Sequence, residues 1–103
     1  MASTKEYLSY VMEQLSGLQD VACRAMMGEY ILYYKGKVFG GIYDNRLLVK
    51  PTRAAQQMLP EAPRELPYEG AKEMLLVEEM ENRELLARLL NAMAEELPAP
   101  KKK

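Results

Sequence analysis

The sequence predicts an α+β domain of two layers. An antiparallel sheet of about five strands carries N- and C-terminal helices on one face, in the order α-β-β-β-β-α-β-α. Two observations predict it. Residues 24–50, RAMMGEYILYYKGKVFGGIYDNRLLVK, alternate apolar or aromatic residues with others, and glycine, aspartate and asparagine interrupt them at regular intervals. That is the pattern of short strands joined by tight turns. On either side, apolar residues recur every three or four positions, as they do on an amphipathic helix. A run of strands flanked by helices places the helices over one side of the sheet.

Taken in order, Ser3-Thr4-Lys5-Glu6 fits a capping box, with Ser3 accepting from the Glu6 backbone and Glu6 reaching back. Leu8, Val11, Met12, Leu15 and Leu18 follow at helical spacing, so a first helix runs from Thr4 to Ser16 and Gly17 ends it. Val21 to Met26 is a first strand. Gly28 permits the bend that leads to a second, Tyr30 to Tyr34. Lys35-Gly36 is a two-residue hairpin turn, and Lys37 to Tyr43 is the third strand. Asp44-Asn45 tolerates the left-handed region and turns the chain into a fourth strand, Arg46 to Lys50.

Pro51 ends the ladder because it has no N–H to donate. Thr52 to Leu59 reads as a short helix. Pro60, Pro63 and Pro67 make residues 60–70 an extended connection. Residues 73–78, around MLLV, form a fifth strand. Asn82 is the N-cap of a last helix that reaches Leu97, with Leu85, Leu86, Leu89, Leu90 and Met93 as its apolar stripe. Residues 1–97 are thus one domain, and residues 98–103, PAPKKK, a disordered tail.

Composition narrows the function. A chain of 103 residues suits a single domain, and 49% apolar content supplies one core. The sequence has no histidine and one cysteine, Cys23. That removes Ser–His–Asp and Cys–His nucleophile activation, and it leaves no ligand set for structural zinc. A lone cysteine forms no internal disulfide, and no apolar run is long enough for a membrane span, so a cytoplasmic location is expected. Net charge is −1, which gives no global attraction for nucleic acid. The charge is uneven. Residues 21–53 carry six basic groups against two acids, and residues 54–100 carry ten glutamates against four basic groups. The basic stretch is either solvated surface or a rim that meets an acidic partner or a second copy of the chain.

Five constellations bear on chemistry. Gly36-Lys37-Val38-Phe39-Gly40-Gly41 fits neither phosphate-loop pattern and lies within a hairpin. Gly40 and Gly41 instead allow a backbone or a bulky ring to lie close to the sheet, at a bulge. The glutamates at 78, 79, 81 and 84 fall at a strand end and a helix start, where exposed acids complement the helix dipole. Cys23 reads as a partly buried, inert thiol. Tyr30 and Tyr34 share one strand face with Leu32, while Tyr33 shares the other with Ile31, which gives one core face and one half-covered face. Tyrosines near Arg24, Lys35, Lys37 and Lys50 invite a single-stranded nucleic acid reading. The eight methionines read first as core filler and second as an adaptable binding surface.

The stretch from Arg24-Ala25-Met26-Met27-Gly28-Glu29-Tyr30 to Lys50 resembles the N-terminal domain of TfoX/Sxy, the bacterial competence-regulator family. Arg24, Met26, Gly28, Tyr30, Leu32 and Tyr33 match the first part of its pattern. Gly36, Lys37, Phe39 and Ile42 match the second, and Leu47, Val49 and Lys50 the third. Pro67-Tyr68, Met74 and the last helix fit as well. Met27 and Glu29 replace the usual Phe and Gly, and the chain ends after one domain where full-length competence regulators have two. The resemblance implies a two-layer α+β fold without catalytic residues or a cofactor. Its name implies regulation of DNA-uptake genes.

The expectation is a small, non-enzymatic regulatory or protein-interaction module with an unidentified protein partner. Its candidate contact residues are Arg24, Tyr30, Lys37 and Lys50, and its structural turns are at Gly28, Gly36, Gly40 and Gly41. An uncovered strand also offers an edge to a second copy, as a homodimer. The alternatives are a nucleic-acid-binding accessory protein, using the basic, Tyr-rich hairpins, and a small-ligand enzyme with a pocket that gathers Tyr and Glu.

Overall fold

A computed structural model describes residues 3–98. Residues 99–103 of the expected tail lie outside the described residues. The chain runs α1 (Lys5–Gln14), β1 (Val21–Met26), β2 (Glu29–Tyr34), β3 (Lys37–Ile42), β4 (Leu47–Val49), α2 (Arg53–Met58), β5 (Arg64–Glu65), β6 (Met74–Leu76) and α3 (Arg83–Ala94). All strand pairs are antiparallel, in the order β1-β2-β3-β4-β6-β5. The sheet therefore has six strands where five were expected. The extra one is β5, inside the proline-rich connection. Pro63 and Pro67 keep that backbone extended, and an extended segment beside β6 can pair as a short edge.

Three two-residue turns build the β1–β4 meander. Their central residues all have positive φ: Met27 and Gly28, Lys35 and Gly36, Asp44 and Asn45. This is the turn whose twist matches that of the flanking strands. The N-terminus departs from the expected capping box. Thr4, not Ser3, is the N-cap, accepting from the Tyr7 N–H at 3.1 Å. Ser3 is engaged elsewhere. Its backbone N–H and hydroxyl both donate to Glu29 Oε1, at 3.0 and 2.6 Å. The same carboxylate accepts from the Asp44 N–H at 3.2 Å. Glu29 thus clamps the start of α1, the first hairpin and the third turn together.

The third strand shows why Gly40 and Gly41 are needed. Leu32 pairs with Gly40 and Tyr33 with Val38, so Phe39 is an extra residue at a bulge. Residues 39 and 42 would face opposite ways in a regular strand. The bulge turns both Phe39 and Ile42 into the same core, each fully buried. A Cβ at position 40 would lie 2.9 Å from the Val49 Cα and would collide with the Leu48 carbonyl. A Cβ at position 41 would lie 2.6 Å from both the Tyr30 carbonyl and the Tyr43 ring.

Helices cover one face of the sheet. Val11 of α1 and Leu15, its C-cap, meet Leu86, Leu89, Leu90 and Met93 of α3 over Leu32, Phe39, Ile42, Leu47 and Val49. Fixed polar contacts orient the helices. Asn82 caps α3 by accepting from the Leu85 N–H at 3.1 Å. The Glu96 carboxylate accepts from the first N–H groups of α2, Arg53 and Ala54, at 2.9 and 2.8 Å. Gln14 is buried and donates to the Met80 carbonyl at 2.6 Å. No helix among the described residues is long and apolar enough to cross a membrane.

Candidate functional site

The structure does not gather the four candidate contact residues into one site. Lys37 lies on the helix side and donates to the Ala94 carbonyl at the end of α3, at 2.6 Å. It is a C-terminal helix cap, and the favourable match of a cation to that end of the dipole accounts for it. Tyr30 pairs with Ala25 and packs against the core from the helix side. Lys50 is half-buried just past β4, where its N–H donates to the Phe39 carbonyl at 2.9 Å. Arg24 alone is exposed on the opposite face, paired with Ile31. Of the turn residues, Gly28 and Gly36 have φ of 86° and 80°, and Gly40 and Gly41 serve close approach.

Around Arg24 the outer face of the sheet divides into two halves. At Gly41 on β3 and Leu48 on β4 it is covered. The Tyr43 ring lies over Gly41, and Tyr68 packs beside it with ring centroids 6.1 Å apart. Leu48, which pairs with Gly41 on this face, is fully buried beneath them. Arg46 holds the cover in place through an ion pair with Glu65 and a bond from its Nε to the Tyr43 carbonyl at 3.0 Å. Burial, then the neighbouring Tyr68 and Glu29, raise the Tyr43 phenol above its ordinary pKa of 10.0.

On β1 and β2 the outer face is open. Cross-strand pairing sets Arg24 beside Ile31, and Ala22 beside Tyr33 and Val38. Ile31, Tyr33 and Val38 are half-buried, and Met26 is 39% exposed at the end of the row. Met27 follows at the hairpin tip, 97% exposed and with φ of 52°. A large apolar side chain thus stands in solvent on left-handed backbone. In the sequence Met27 is one of eight methionines and a departure from the family pattern, and neither feature places it at a tip. The signal was there: Met-Gly between two strands of six residues is a two-residue loop. Alternation sets Ile31 and Tyr33 on a half-covered face, and both are half-buried there, but it does not tell which half of that face is roofed or that Val38 joins them.

Cys23 is exposed, not partly buried. It faces the helix side, opposite Leu32, but β1 extends beyond the reach of the helices. A depression of about 530 Å³ brings Tyr7 and Tyr10 together with Glu78, Glu79 and Glu81, the combination expected of a small-ligand enzyme. All three glutamates are exposed. Burial, then the adjacent Tyr10, raise the Tyr7 phenol above 10.0, which keeps it neutral. Glu84 pairs with Arg88 one turn along α3, at 2.9 Å. No group of three acidic or cysteine side chains among the described residues is placed to hold a metal ion.

Comparison with known proteins adds three findings. The model of the TfoX N-terminal domain matches residues 13–96. An uncharacterised 12.7 kDa protein encoded in the trpE 5′ region of Spirochaeta aurantia is 36% identical over 102 residues, covering 98% of this chain and 89% of that protein. No solved structure matches the chain.

Proposed function

The chain belongs to the TfoX N-terminal domain family, and from that premise we propose that it is a small, non-enzymatic regulatory or protein-interaction module. Its contact surface is the β1–β2 hairpin tip together with the open half of the outer sheet face. The family supports a link to transcriptional or competence regulation, with the contact made to another protein. The observation that carries this reading is Met27. Left-handed backbone costs a residue with a Cβ about 1–2 kcal/mol, and an exposed methionine recovers none of it by burial. Asparagine or glycine would serve the turn better. A flexible thioether standing out at a tip, beside the half-buried row of Ile31, Tyr33 and Val38, suits an adaptable apolar contact. Arg24 adds a charge at the margin of that contact.

The test is affinity capture from cells of the source organism, using the wild-type chain, a Met27→Asp/Tyr33→Ser variant and a Gln57→Asp control on the far side, in α2. Partners recovered by wild type and control, but reduced at least about tenfold with the double variant, fit a contact surface of this kind. Equal recovery by all three chains contradicts it. A nucleic acid reading keeps one supporting observation: Arg24 and Tyr33 share the open face. It requires salt-dependent binding to single- or double-stranded DNA that Arg24→Glu weakens, and binding indifferent to salt removes it.

A further inference from the structure

The two edges of the sheet are built differently. One edge, β5, has two residues and lies between Pro63 and Pro67. The other, β1, has six residues, VACRAM, with no proline, no register shift against β2 and a single charge, Arg24. Proteins usually blunt an edge of that length with charges, prolines or bulges. Here five of its six residues are exposed and mostly apolar or small.

The direction of its backbone groups follows from one bond. The Lys35 N–H donates to the Asp20 carbonyl at 2.9 Å, so Asp20 is directed toward β2. In antiparallel pairing this alternates. Ala22, Arg24 and Met26 are then directed inward with Asp20, while Val21, Cys23 and Ala25 send their N–H and C=O groups outward. Three donors and three acceptors line that edge.

We infer that β1 pairs with β1 of a second copy of the chain, antiparallel about a two-fold axis, with Cys23 opposite its own counterpart. Paired residues in a sheet project from the same face, and successive residues from opposite faces. A two-fold axis through an antiparallel pair therefore sets some residue against itself. Centring on Cys23 places Val21 opposite Ala25, Cys23 opposite Cys23 and Ala25 opposite Val21, so that every outward group of β1 is bonded. Centring on Arg24 or Ala22 leaves the outward group at one end of the strand without a partner strand, and the Arg24 choice also sets two guanidinium groups against each other. With Cys23 at the centre, Arg24 lies opposite Ala22 and no like charges meet. Two sheets become one, and the open half-faces adjoin across the axis. This inference rests on the edge alone and not on the interaction surface proposed above.

The test is amide hydrogen exchange with light scattering across a dilution series of the intact chain. The expected result is a mass twice 11.8 kDa at high concentration. The Cys23 and Ala25 amides should then exchange at least about tenfold more slowly than at high dilution, while the Arg24 amide, already bonded to β2, stays the same. Cys23→Asp, a change at an exposed side chain, should give a folded monomer. A short thiol-to-thiol cross-linker should join two wild-type chains and no Cys23→Ser chains. A monomeric mass at every concentration overturns the inference. So does a dimer whose β1 amides exchange equally at both extremes, or one that Cys23→Asp leaves intact. A monomer that still captures a partner through Met27 would refute the dimer alone.

Discussion

Met27 costs the fold stability that another residue would return. Replacing it by asparagine, which tolerates left-handed backbone, should stabilise the protein by about 1 kcal/mol and raise the thermal midpoint by several degrees. Calorimetry of Met27→Asn checks this, and an unchanged or lower midpoint would show that the turn carries no strain. Two tyrosines set the alkaline limit. Burial is the first cause of the raised pKa of both Tyr7 and Tyr43, above an ordinary 10.0. Folded, they hold their protons more tightly than the unfolded chain does. Their stabilising effect is complete below pH 10 and is lost as pH rises through the raised values. Urea midpoints should therefore fall above pH 10.0, and fall less in Tyr7→Phe. At this scale the sequence was a poor guide. Lys37 looked like a surface contact and closes a helix; Glu29 looked like a departure from a pattern and clamps three segments. Side-chain partners far apart in sequence leave no local trace, as Ser3 and Glu29 show.

The elements were far more legible. Glycine, aspartate and asparagine marked all three tight turns, and alternation marked the strands between them, because turn backbone and pleat act within a few residues. The first strand, Val21–Met26, matches its expected bounds, and the fifth expected strand shrinks only to Met74–Leu76. What escaped was β5, two residues whose pairing depends on β6 and not on their own pattern. The glycine pair in β3 was read as room for a close backbone or ring, and the structure supplies both. Gly40→Ala should therefore destabilise by about 1–3 kcal/mol or more, since the intruding methyl meets backbone that cannot rotate away. Gly17→Ala, where a Cβ meets nothing within 4 Å, is the matched control. Equal chemical denaturation curves for the two variants would contradict the bulge as described.

At the scale of the molecule, helices cover one face of the sheet except along β1, Tyr43 and Tyr68 roof part of the other face, and the β1–β2 end is left open. The fold class and the covered face could be read from the sequence, since both follow from periodicity. That the other face is half-covered could be read as well, but which half stays open could not, because what roofs Leu48 is a connection whose path is set by tertiary contacts such as the Arg46–Glu65 pair. The chain belongs to the TfoX N-terminal domain family, and the contact surface proposed for it is the hairpin tip with the open half-face. The most direct measurement is photo-cross-linking in cells of the source organism, with a photoreactive residue placed in turn at Met27, Tyr33 and Gln57. The account predicts one shared protein adduct from positions 27 and 33 and little or none from 57. Adducts as strong from position 57, or none from the hairpin and the open face, would contradict it.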